Sequence, residues 1–327
     1  MTCPIRSFQT GWALLKNRRN RMDNLQQIIQ NFPVRKKPEE KKAFLKWALS
    51  RARETGWPAR VEENGRHRNF TAGDPDKARI IFSAHYDTPA NMLLPNLLIP
   101  RNLPLFFAWQ LVIVFLLFIP CILAAFLAYL AFGSTLAIYL AFMIVYFALL
   151  FLLISGPANR HNANDNTSGV AAVMDLMEKL PPDVRDQTAF VLFDNEELGR
   201  QGSKAYALRH QEIKKGTLVI NMDCVGLGDH LLIVGKNMAR VLPDYTLLQQ
   251  AFSPSDGFTP HFYPGTGTAV NSDQRSFRRG VCCLFCFRRP FVGFYTPHLH
   301  TRRDTQADQK NIDYLVRGLC RFMREQK

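Results

Sequence analysis

Between Asn102 and Asn159 the chain has no Asp, Glu, Lys or Arg. A helix at the surface of a soluble domain keeps a polar face, so a gap of this length excludes an ordinary surface helix. A helical hairpin buried in a soluble protein is the competing reading, but soluble helices rarely lack a polar face for so long. The gap divides into two spans, Leu105 to Phe132 and Leu136 to Ile154, each near the roughly 20 apolar residues that cross a bilayer. Gly133, Ser134 and Thr135 are the expected turn, and Pro120 is expected to kink the first span.

Other features are also missing. Seven cysteines is an odd count without a disulfide-like framework, which fits a reducing compartment. Cys282, Cys283 and Cys286 in VCCLFCF read as part of a buried strand, and the Cys283-x-x-Cys286 spacing alone is a weak metal or redox signal. The opening MTCPIRSFQTGWALL has only short, interrupted apolar runs, so no secretory signal is expected. There is no internal repeat and no low-complexity linker.

The net charge is +14, yet no nucleic-acid motif or aromatic platform accompanies it, so no nucleic-acid partner is expected. Contact with anionic lipid explains the charge more simply. Arg101 and Arg160 close the apolar block, KNRRNR and RKK lie upstream, and the tip between the spans is uncharged. The positive-inside rule then puts both flanks in the cytoplasm. The expectation is an integral membrane protein, in the plasma membrane of a bacterium, with a lipid bilayer as partner and an undetermined oligomeric state.

Outside the block, residues 1–33 read as a basic helical lead-in. KPEEKKAFLKWALSRARET is an amphipathic helix with Phe44, Leu45, Trp47 and Ala48 on one face. ARVEE, ARIIFSAHYDT, QTAFVLFDNEE, GTLVINMDCVG and HLLIVG read as strands. NANDNTSGVAAVMDLMEKLPP, GSKAYALRH and NIDYLVRGLCRFMREQ read as helices, the first capped by Thr167 or Ser168 and ended by Pro181. This alternation implies an α/β fold with a mostly parallel sheet sandwiched by helices. ARIIFSAHYDT cannot form a domain alone. Residues 34–101 and 156–327 are therefore expected to make one domain, with 102–155 an inserted hairpin.

The strand ends carry the chemistry. One ends in His85-Tyr86-Asp87, one in Glu196-Glu197 and one in Asp223; a polar helix start holds Asp165, and HLHTRRDT supplies His300. Loops beyond the carboxyl ends of strands build the site in open α/β sheets, so these five ligands can converge there. Two histidines with three carboxylates suit zinc. Two ions need a bridging anion, and Asp165 is placed to be that bridge. Glu197 then faces a cation, its neighbour Glu196 is left for proton transfer, and Asp87 can accept the other ring N–H of His85. Taken singly, each motif also reads as a turn, a cap or a solvated charge, and His298 lies beside His300.

AHYDT, NDNTSGVAAVMDL, FDNEELGRQGS, INMDCVG and HTRRDT resemble the zinc-dependent exopeptidases of the two-zinc aminopeptidase family, which also has glutamate carboxypeptidase-like and glutaminyl cyclase-like members. The resemblance covers about 34–101 and 156–327. It implies two Zn2+ ions, with cobalt or manganese as substitutes. His85 and Asp223 would hold one, Glu197 and His300 the other, and Asp165 both. It further implies Glu196 as general base, Asp87 and Asp304 as supporting carboxylates, and a cis peptide at Asp165-Asn166. Gln274 in NSDQRSF stands where a histidine is common in the family, a departure that bears on substrate preference.

The activity implied is hydrolysis of a terminal bond of a peptide substrate, first of all by an aminopeptidase. Arg275, Arg278, Arg279, Arg288, Arg289, Arg302 and Arg303 keep a glutamate carboxypeptidase-like alternative open, since arginines bind terminal carboxylates. An inactive scaffold would have lost ligand positions, whereas all five are present. A pore built from the two spans would need intramembrane charge, which they lack.

Overall fold

Short apolar runs bounded by polar turns build the centre of the sheet in a computed structural model that describes residues 22–92, 94 and 96–326. Most of the expected lead-in, residues 1–21, lies outside the described residues; its last part forms a helix, α1 (Asn24–Asn31). Helix α2 (Pro38–Glu54) follows, started by Pro38 and by Glu40, whose carboxylate accepts the Lys36 and Lys37 backbone N–H groups.

Among the described residues ten strands form one sheet: β1 (Ala59–Asn64), β2 (His67–Ala72), β3 (Ile80–His85), β4 (Asn96–Leu98), β5 (Thr188–Phe193), β6 (Leu218–Met222), β7 (His230–Gly235), β8 (Thr259–Pro264), β9 (Gly280–Arg289) and β10 (Gly293–Leu299). The main path is β1-β2-β5-β3-β6-β9-β10-β4, and β7 pairs with β8 and β9. Parallel pairing joins β5-β3-β6-β9 and also β7-β8. The remaining pairs are antiparallel, so the sheet is mixed. HLLIVG, expected simply as another strand, runs antiparallel to β9. Strands β2, β4, β8 and β10 have sequences too polar or too short to stand out.

The central strands are buried on both faces, as parallel strands covered by helices must be. Phe82, Phe190, Leu192 and Ile220 face one apolar cluster, shared with α1, α2, α5 (Gly169–Lys179) and the closing helix Gln309–Arg324. Ile81, Val191, Phe193 and Val219 face the other, with Tyr206 from α6 (Gln201–Arg209). Cys283 points to the first cluster, while Cys282 and Cys286 point to a third beside β7. The Cys283 and Cys286 thiols therefore lie on opposite faces of β9 and cannot share a ligand; both pack in the core.

The apolar block forms α3 (Leu103–Phe132) and α4 (Thr135–Ser155), an antiparallel pair. Gly133 takes a left-handed φ of 58° to end α3, and α3 runs on through Pro120. The pair packs through Phe118, Phe142 and Tyr146. Its outer faces are bare: Leu111, Phe115, Phe132, Leu136, Ile144 and Phe151 are each at least 64% exposed. Below it the two connecting segments close on each other through an Ala90–Ala158 bridge, Asn91 N to Pro157 O at 2.8 Å and Asn159 N to Pro89 O at 2.9 Å.

Candidate metal centre

Three neighbouring parallel strands deliver their carboxyl ends to one place. β3 ends on His85, Asp223 follows β6, and Asp194 and Asn195 separate β5 from Glu196 and Glu197. His300 follows β10, and Asp165 lies in the turn Ala163–Ser168 before α5. The peptide Asp165-Asn166 is cis. Ser168 occupies the N-cap position of α5, but its hydroxyl does not cap the helix as expected. It donates to Asn164 O and accepts the Val225 N–H, because tying down the turn satisfies more backbone than capping does.

Ligand atoms of His85, Asp165 and Asp223 lie within 4.8 Å of one another, as do those of Asp165, Glu197 and His300. Asp165 is common to these two trios, and His85, Glu196 and Glu197 form a third group at the same spacing. Its Oδ1 is 3.4 Å from His85 Nε2 and its Oδ2 is 3.0 Å from His300 Nε2. His85 Nε2 is 3.8 Å from Asp223 Oδ1, and His300 Nε2 is 3.2 Å from Glu197 Oε2. His85 Nδ1 stands 3.5 Å from Asp87 Oδ1, at the outer limit of a hydrogen bond, with no other partner. Asp87 also accepts the backbone N–H groups of Glu196 and Glu197, at 2.9 and 3.2 Å. His298 is not in either trio.

The electrostatics call for cations. Burial pushes Glu197 up to about 8, opposed by His300, and pushes Glu196 well above its ordinary value, helped by Asp273 and Glu197. Burial would lower both histidines, but Asp165, Asp223 and Asp87 hold His85 well above its usual value, and Glu197 and Asp165 hold His300 at about 9. Burial would raise Asp165, yet His300 and His85 keep it below the carboxylate range. Protons thus balance a cluster of buried carboxylates, the role a divalent ion takes when it displaces them. Glu197 Oε1 is buried without a hydrogen-bond partner. A set of imidazole nitrogens and carboxylate oxygens at this spacing, with a ligand atom left unpaired, fits zinc.

Several residues that position the site had no legible signal. Arg35 is fully buried; its guanidinium donates to Tyr86 O, Phe32 O, Asn162 Oδ1 and Thr167 Oγ1, tying the end of β3 to the Asp165 turn. Asn166 donates to Met222 O and accepts from the Gly169 N–H. A Cβ at Gly169 would collide with Asn166 Oδ1 and Met222 O, so this close approach needs glycine. Asn195, Cys224, His298 and His300 all have positive φ, a clustering of backbone strain typical of functional sites.

The trios open into a cavity of about 320 Å³ walled by Leu98, Val270, Leu284 and Leu299, and by Phe106 and Gln110 of α3. None of the arginines noted in the sequence lines it. Arg275, Arg278 and Gln274 line a separate cavity, so the departure at Gln274 falls outside the wall of this one.

A sequence model of Peptidase family M28 matches residues 152–322. No curated protein matches the chain. Among solved structures, glutaminyl cyclase from Porphyromonas gingivalis superposes with a TM-score of 0.56 at 15% identity, covering 93% of this chain and 96% of that one. A Zn-dependent exopeptidase from Parabacteroides distasonis gives a TM-score of 0.54 at 13% identity, over 92% and 94% of the two chains. The LapA aminopeptidase of Legionella pneumophila gives 0.54 at 13%, over 98% and 73%.

Proposed function

The chain belongs to peptidase family M28, and on that footing we propose that it is a membrane-anchored metallo-exopeptidase acting on peptide amino termini. One observation carries the choice of end. Among the described residues no Arg or Lys lines the cavity, while Asp165, Glu196, Glu197 and Asp223 do. In this reading those carboxylates are taken up by the metal ions and by proton transfer, so the choice rests on the missing cation: no side chain in this wall can pair with a terminal carboxylate, which disfavours the glutamate carboxypeptidase-like alternative.

His85 and Asp223 would hold one zinc ion, Glu197 and His300 a second, and Asp165 would offer one oxygen to each. Zinc, when bound, supplies a Lewis acid that polarises a carbonyl and lowers the pKa of water. The chain's own groups do the rest. Glu196, raised in pKa by burial, takes the proton of the attacking water and returns it to the departing amine. Asp87 orients His85 and fixes the Glu196-Glu197 turn at once.

Residues 34–101 and 156–327 form the catalytic domain in this reading, and 102–155 its anchor. The bare outer faces of α3 and α4 support the anchor, since so large an apolar surface would aggregate in water. The charge bias of the flanks favours a cytoplasmic catalytic domain.

Metal analysis with activity before and after chelation tests the proposal. The panel should hold aminoacyl peptides, acyl-glutamates and peptides beginning with glutamine. Zinc-dependent release of amino-terminal residues is expected. Zinc-free protein, release of terminal glutamate, or cyclisation without release would overturn it.

A further inference from the structure

The first apolar helix is longer than its partner, and the surplus stands over the cavity. α3 has 30 residues against 21 in α4, and the two meet at the Gly133–Ser134 turn. The last 21 residues of α3 match α4, whose length of about 31 Å equals the hydrocarbon thickness. Leu103 to Leu111 therefore rise about 14 Å above the level where α4 ends, through the headgroup layer. Phe106 and Gln110 lie on this overhang, half-buried, and both line the cavity that holds the trios. Gln110 Nε2 reaches Asn96 Oδ1 at 3.4 Å on β4, which pairs with β10, the strand leading to His300.

The other helix ends beside the same residues. Leu153, Ile154 and Ser155 of α4 line a second cavity, of about 250 Å³, that also includes Glu197 and His300. Lys36 caps this end by donating to Ile154 O and Gly156 O. On the far side, Asn102 at the start of α3 donates to Phe291 O and Val292 O in the β9–β10 turn. Phe291 there is fully exposed, and Arg288 and Arg289 precede it in β9. Basic residues beside an exposed aromatic ring suit a membrane surface. Three separate parts of the structure thus put the cavity at one level, that of the lipid headgroups.

We propose that the α3 overhang is the specificity wall of the site, with Phe106 selecting an apolar terminal residue, and that the substrates are peptides adsorbed on the bilayer. This rests on the exopeptidase reading above. Phe106 and Leu98 give the terminal side chain an apolar contact. A peptide held in the headgroup layer meets the cavity without leaving the membrane, whereas a water-soluble peptide must first partition there.

The test uses the full chain, zinc-loaded, in phosphatidylethanolamine–phosphatidylglycerol vesicles. Leucine- and alanine-ended peptides are compared, each with and without a C-terminal acyl tail. Acylated leucine peptides should have the highest kcat/KM, and Phe106→Ala should lower the leucine-over-alanine ratio about tenfold. Phe106→Leu should retain most of that ratio, and both variants should keep the wild-type zinc content. If acylated and soluble peptides are cut alike, and neither variant changes the ratio, the inference is wrong while the exopeptidase reading survives. If wild-type protein releases no residue from any peptide, that reading falls and the inference with it.

Discussion

Asp304 accepts the backbone N–H of Asp165 through Oδ2 at 2.9 Å, and that of Asn164 through Oδ1 at 2.9 Å. Asp87 holds the Glu196-Glu197 turn in the same way. Each of these carboxylates therefore fixes two successive peptide groups of a turn that carries proposed ligands, and so sets where their oxygens stand.

Asp304→Asn turns one acceptor into an amide donor that faces a backbone N–H. Zinc affinity is expected to fall about 10- to 100-fold with the fold retained. Competition with a zinc-binding dye, alongside circular dichroism, measures both. Wild-type affinity in a folded variant would remove Asp304 from the supporting shell.

Glu196→Gln keeps the shape of the side chain but cannot take a proton. Turnover should fall by about 10²- to 10⁴-fold with zinc content unchanged. Metal analysis and single-turnover kinetics on the same preparation decide it, and near-normal turnover would exclude Glu196 as the base.

Metal-free protein should lose stability as pH rises from 7 to 9. Glu197 at about 8 and His300 at about 9 sit above the ordinary values of about 4.3 and 6.5. The native state therefore binds more protons than the unfolded chain in this window, and stability falls as they leave. Zinc replaces those protons, so the loaded protein should show a flatter profile. Urea midpoints at several pH values, with chelator and with zinc, measure the difference, and a rise in stability for the chelated protein would contradict the assignment.

Arg35→Leu should destabilise the fold by about 2–4 kcal/mol, since buried acceptors at Tyr86, Phe32, Asn162 and Thr167 lose their donor. Arg35→Lys should recover only part of this, because an ammonium cannot span the fork of four partners. Thermal melts of both variants test the point; a full rescue by lysine would show that charge alone matters.

Replacing residues 102–155 with a short loop should give a protein that stays in solution without detergent. The bridge at Ala90–Ala158 already brings the two connecting segments together, so little chain is needed to close the gap. Ultracentrifugation of cell extracts shows the outcome. A truncated chain still found in the membrane pellet would point to another anchor.

Much of this was legible along the chain because it depends on local composition. The uncharged block declares two apolar helices, and the runs IIFSAH, TAFVLF and LVINM declare strands buried on both faces. His85, Glu197 and Asp223 were legible as candidate ligands because each stands at or just after the end of such a run. Other features were not. β10 alternates too weakly to read as a strand, yet it delivers His300; Arg35 looks like one cation of a basic stretch, yet it is buried among carbonyls.

The sequence alone determined which side chains could bind a cation and which segment could enter lipid, since hydrophobicity and ligand type belong to single residues. Only the tertiary structure decided that Asp165 turns one oxygen to each histidine, that no arginine among the described residues reaches the cavity, and that Phe106 of the apolar helix forms its wall. Distances between residues far apart in the chain depend on strand order and helix packing, and no local pattern encodes them.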